Sequence, residues 1–149
     1  MSLEAHTSTL AHITGKTLAD GAFVFADPAD ADTAPTEGVA IDIRFEGPVN
    51  GFLCLEAPVD LGAEIAGNLL ESDHAPTDQE SIEAMRELVN MIAGSFLPAA
   101  FGVQAEFQLG LPSEAHPIGV RPPEGSSISA VLTTDEGHCF RVWVYGSDA

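Results

Sequence analysis

The chain has 149 residues, an apolar fraction of 45% and a formal net charge of −18, with five Lys plus Arg against 23 Asp plus Glu. That length suits one domain, here residues 1–149, and the acidic field argues against nucleic acid and anionic membrane as direct partners. No apolar run can span a bilayer and no basic, apolar leader opens the chain, so a cytoplasmic location is expected.

Leu3 to Ala19 reads as a helix, with Leu3, His6, Leu10, Ile13 and Thr17 on one side and Gly15 weakening it. Ala26 to Gly38, rich in Asp, Pro, Ala and Thr, reads as a loop. Val39 to Glu46 alternates: Val39, Ile41, Ile43 and Phe45 face one way, and Ala40, Asp42, Arg44 and Glu46 the other. That is a strand with one wet face. A turn over Gly47 to Gly51 joins it to a second strand, Phe52 to Ala57, and Val59 to Leu70 reads as a short helix. After a polar connection, Glu71 to Pro76, Thr77 and Glu80 form a capping-box signature that starts a long helix ending near Gly102. Its apolar stripe is Ile82, Met85, Val89, Ile92 and Phe96, widened by Leu88, and Pro98 is expected to kink or end its last turn. Val103 to Leu111 alternates again and reads as a strand. Beyond a Pro- and Gly-rich stretch, Ile128 to Thr134 and Cys139 to Tyr145 flank a hairpin loop at Asp135-Glu136-Gly137. Strands that arrive as hairpins, with helices between them, predict an α+β domain: an antiparallel β-sheet with helices packed on one face.

The candidate chemistry sits on the long helix. Glu87 and Asn90 are three apart and therefore neighbours on the polar side, with Glu83 a turn before and Gly94 a turn after. Asn and Gly both disfavour helix interiors, so their presence there points to a functional surface. A carboxylate can pair with a partner's cation. An amide donates and accepts hydrogen bonds without titrating, so it can hold a water in line with a phosphorus atom. Phosphoryl transfer needs chiefly such positioning.

The stretch Glu87-Leu88-Val89-Asn90-Met91-Ile92-Ala93-Gly94 resembles the signature helix of the CheX and CheC chemotaxis phosphatases. One such motif is present rather than two, which is similar to the CheX branch; Glu64, Gly67 and Asn68 of the other helix do not match. Phe107-Gln108-Leu109-Gly110-Leu111-Pro112 also looks like the family. The resemblance implies a CheC-like fold and a phosphatase acting on the phospho-aspartate of a CheY-type response regulator. Glu87 would pair with a lysine of the regulator, Asn90 would orient the attacking water, and Glu83 and Gly94 would contact the partner. Mg2+ would be held by the regulator, so the chain would carry no metal ligand or cofactor of its own. A homodimer formed through the sheets is also implied. The alternative is a non-catalytic adaptor of the same fold, binding a receiver domain or a flagellar-switch component.

Other constellations are weaker. The five histidines, His6, His12, His74, His116 and His138, are scattered without metal-ligand spacing. Cys54 and Cys139 read as buried free thiols. Arg141, Trp143 and Tyr145 share one face of the last strand, opposite the face the helices would cover; a partly covered sheet surface is expected there, with a self-association surface as the alternative.

Overall fold

The computed structural model describes residues 3–70, 74–119 and 126–148. The expected connection at Glu71 to Pro76 and the Pro- and Gly-rich stretch before Ile128 lie partly outside them. A short 3-10 turn, Glu4–His6, leads into α1, Thr7–Ala22. The strands are β1 (Ala26–Pro28), β2 (Val39–Glu46), β3 (Val49–Ala57), β4 (Gln108–Leu109), β5 (His116–Pro117), β6 (Ser126–Thr134) and β7 (Cys139–Asp148). Between β3 and β4 lie α2 (Val59–Leu69) and α3 (Asp78–Phe101). Every strand pairing is antiparallel, in the order β1-β6-β7-β3-β2-β4, with β5 also on the outer edge of β2. The expected α+β architecture is present.

Alternation in the strands builds the inner face row by row. Ile41 pairs with Leu55, Leu55 with Val142, and Val142 with Ala130. The next row is Ile43, Leu53, Val144 and Ile128. The helices bury Leu10 and Leu18 of α1, Leu61 and Ile65 of α2, and Met85, Val89, Ile92 and Phe96 of α3 in the same core. The stripe read along α3 is the one that packs, with Ile82 half-buried at its edge. Gly62 sets the closeness of α2 and α3: a Cβ there would come within 2.2 Å of Ser81 O, so only glycine fits without a shift.

Several expectations change. α1 starts later and runs three residues further than read, through Gly15 and Gly21, and it buries Thr14 and Leu18, whereas Ile13 is only half-buried. β1, inside the expected loop, pairs with the edge of β6. Val103 to Leu111 is not a strand: Val103 and Leu111 are each 89% exposed, and only Gln108–Leu109 pairs with β2. Of the alternating residues, Phe107 is the one that finds a ring cluster, with Phe45 at 5.9 Å and Phe101 at 5.5 Å. An alternating pattern makes a strand only where a face exists to receive it. Pro98 does not end α3, which continues to Phe101 before Gly102 takes φ +94°.

The face of β7 expected to be partly covered is closed over Trp143. Trp143 is 4% exposed and packs with Ala40 and Cys54 under Phe52, Ile118 and Tyr145. Arg141 Nε donates to Glu56 at 2.7 Å, and that carboxylate is itself buried. The segment leading into and past β5 brings Ile118 across this side of the sheet, which local sequence could not reveal.

Candidate functional site on the long helix

The start of α3 is fixed by local chemistry. Thr77 Oγ1 accepts from Glu80 N at 3.1 Å, and Glu80 Oε1 accepts from Thr77 N at 2.9 Å. This reciprocal cap satisfies two donors that a helix start leaves open. The same backbone N–H, aided by His74, holds the Glu80 carboxyl below its ordinary value. Twenty-four residues then give a rod of about 36 Å at a rise of 1.5 Å each. Its apolar side is clamped between the sheet, α1 and α2, which fixes the direction of its polar side.

That polar side carries the four residues singled out from the sequence. Glu83, Glu87 and Gly94 are exposed and Asn90 is half-buried, at spacings of four, three and four, which places them along one line of the rod. A Cβ added at Gly94 would meet nothing within 4 Å, so the glycine serves no internal packing need. Because Pro98 has no N–H, the Gly94 carbonyl also lacks its usual donor from four residues on. The line therefore offers, in order, a carboxylate, a carboxylate, a carboxamide and bare backbone.

Arg86 is the participant that the sequence reading missed. Its Nη1 lies 3.1 Å from Glu83 Oε1, while Nη2 donates to Pro112 O at 2.8 Å and Nε to Ser113 O at 3.0 Å. One guanidinium thus orients Glu83 and fastens the loop after β4 to α3. The Glu83–Arg86 spacing of three was the one available signal; the carbonyl partners are remote in sequence.

The non-matching residues of α2 have internal work. Glu64 Oε1 lies 2.6 Å from His138 Nδ1 and accepts from Thr134 Oγ1 at 2.9 Å, tying α2 to the β6–β7 turn. Asn68 Nδ2 donates to Ala22 O at 3.1 Å and Phe23 O at 3.2 Å, capping the end of α1. Both side chains hold parts of the fold together.

Among the described residues no group of three or more His, Cys, Asp or Glu side chains is placed to hold a metal ion, and no helix is long and apolar enough to cross a membrane. Both thiols are free. Cys139 is only half-buried, contrary to expectation, whereas Cys54 is buried, and its burial, with Glu56 and Asp42 nearby, pushes its pKa far up.

The sequence profile of the family described as chemotaxis phosphatase CheX matches residues 39–125, more than half of the chain. The chain belongs to the CheX chemotaxis phosphatase family. Among curated proteins there is no significant match. Among solved structures, CheX from Desulfovibrio desulfuricans is similar at 20% identity and a TM-score of 0.76, over 95% of this chain and 98% of that one. CheX from Vibrio vulnificus is similar at 18% identity and 0.76, over 94% and 95%. A chain of the CheX–CheY–BeF3–Mg2+ complex from Borrelia burgdorferi is similar at 14% identity and 0.70, over 95% and 97%. At these identities the likeness is one of fold.

Proposed function

We propose that this chain dephosphorylates the phospho-aspartate of a CheY-type response regulator, with Glu87 and Asn90 inserted into the regulator's reaction centre. The observation that carries the reading is the line of Glu83, Glu87, Asn90 and Gly94 along the open side of an otherwise clamped helix. A rigid rod with an acid and an amide side by side can enter another protein's pocket without first paying for its own ordering. Family membership and the existence of a CheX–CheY complex in Borrelia burgdorferi support the choice of partner.

In this reading Glu87 pairs with a lysine of the regulator, which sets the register of the rod. The Asn90 amide oxygen accepts a hydrogen bond from water, which fixes that water in line with phosphorus. Water oxygen bonds to phosphorus as the bond to the aspartyl oxygen breaks. The electron pair leaves on the aspartate, and the water proton goes to the released phosphate. Mg2+ held by the regulator balances phosphoryl charge, and this chain adds no ligand to it. Homodimerisation through the sheet is part of the same reading, and sedimentation decides it.

The test is the decay of a phosphorylated regulator with substoichiometric amounts of this chain. The wild type shortens the phosphoryl lifetime. Asn90→Ala lowers kcat by about 10²-fold, the scale of a lost positioning contact, while binding persists. Glu87→Ala chiefly raises KM. Binding by the wild type without any change in decay would replace this reading with the adaptor.

A further inference from the structure

Seven large apolar side chains are exposed among the described residues, and four of them, Phe23, Phe25, Leu69 and Leu70, lie just past α1 and at the end of α2. The Asn68 bonds to Ala22 O and Phe23 O tie the end of α1 to α2 at the residue before Leu69. Phe23 is unusual in itself. It is 66% exposed and holds φ +57°, a left-handed cap position that usually takes glycine. The core does not use its ring, and the backbone there would be easier without it.

Beside this shoulder, α2 and α3 enclose a groove of about 410 Å3. Ala66, Leu69 and Leu70 line it from α2, and Glu80, Glu83 and Ala84 from α3. Its lining is largely apolar with Glu80 and Glu83 at its edge, and among the described residues no Lys or Arg lines it. Glu83 belongs both to this rim and to the line that leads to Glu87. The groove therefore opens onto the same approach that the regulator takes in the proposed reaction.

Resting on that phosphatase reading, we propose that the groove and its Phe23–Leu69–Leu70 edge form a second docking site for the regulator. Its occupant is a regulator segment that presents an apolar side chain flanked by Lys or Arg. An apolar anchor in a pocket with a charged rim is how interfaces concentrate affinity and choose partners. Charge complementarity selects a cationic segment, since the chain carries −18 overall and Glu83 on the rim, though bonded to Arg86, keeps a side chain 59% exposed. A second copy of this chain is disfavoured, because two-fold pairing would set like rims against each other.

Phe23→Gly and Leu69→Ser test this against a beryllofluoride-loaded CheY-type receiver from the same organism, with affinity measured by calorimetry and turnover by phosphoryl decay. Phe23→Gly relieves the left-handed strain, so its Tm should hold or rise while its affinity falls. Each variant should weaken binding by about tenfold, as expected for a lost apolar anchor, and raise KM similarly with kcat unchanged. Affinity within twofold of wild type in both variants overturns the proposal. So does a loss of self-association in sedimentation with receiver binding intact, which would assign the surface to a second copy. Failure of the wild type to accelerate decay while it still binds would overturn the phosphatase reading instead, and the affinities of the variants would still decide the docking site.

Discussion

Replacing Gly94 by Ala sets helix stability against the proposed encounter, and the two respond in opposite directions. Nothing lies within 4 Å of the Cβ that the substitution adds, and the position needs no positive φ. An interior helical glycine is less favourable than alanine by about 0.8–1.0 kcal/mol, so Gly94→Ala should be more stable by about 1 kcal/mol. For a chain of this length that is a rise in Tm of roughly 2–4 °C. If the regulator seats against bare backbone at this turn, the new methyl intrudes on the contact. A loss of about tenfold in kcat/KM corresponds to only 1.36 kcal/mol of misfit. Gly94→Leu should extend the loss with little change in folding.

Gly62 supplies the contrast. There the added Cβ would lie 2.2 Å from Ser81 O and 3.0 Å from Met85 Cγ, so α2 and α3 must separate. Gly62→Ala should destabilise by roughly 1–3 kcal/mol, the range for overpacking. Urea denaturation gives the stabilities, and phosphoryl decay gives the activities. A Gly94→Ala protein that gains stability and keeps full turnover would refute contact at this turn. One that loses stability would refute the account of the helix itself.

Three further outcomes follow from the rest of the molecule. Arg141→Met strands the buried Glu56 carboxylate and should destabilise by about 3–5 kcal/mol, whereas Glu56→Leu combined with Arg141→Met should recover most of it; chemical denaturation of the two variants beside the wild type checks this. Glu80 has a depressed folded-state pKa, caused first by the Thr77 N–H, so its stabilisation is present above its ordinary value of 4.5 and is lost as pH falls through the depressed value. Glu80→Gln should therefore flatten the pH dependence of Tm below about pH 4.5. Cys54 should stay protonated and unreactive because burial, then Glu56 and Asp42, push its pKa up; a thiol reagent should label only Cys139 in the native protein, and Cys139→Ser should abolish native labelling.

What could be read in advance was what local chemistry decides. Thr77 and Glu80 announce the start of α3 within four residues, and Gly102 marks its end. Alternation in Val39 to Phe45 gives both the strand and its inward face, because a period of two leaves no other way to bury Ile41, Ile43 and Phe45 together. The placing of Glu83, Glu87, Asn90 and Gly94 on one line follows from helical spacing once Met85, Val89 and Ile92 are turned inward.

The misreadings share a cause, which is that burial of a face is settled by residues far along the chain. How completely Trp143 is covered is undecided until Ile118 is laid over that side of the sheet, and Val103 looks buried until no surface arrives to cover it. The same dependence separates the two acid-bearing helices. On α2, Glu64 is consumed by Thr134 and His138, seventy or more residues away, and Asn68 by the end of α1. On α3, the remote partner is Arg86 with the Pro112 and Ser113 carbonyls, and that clamp engages Glu83 without reaching Glu87 or Asn90. A motif of acid and amide is therefore available for chemistry only where the distant parts of the fold decline to use it, and on this chain that condition distinguishes α3 from α2.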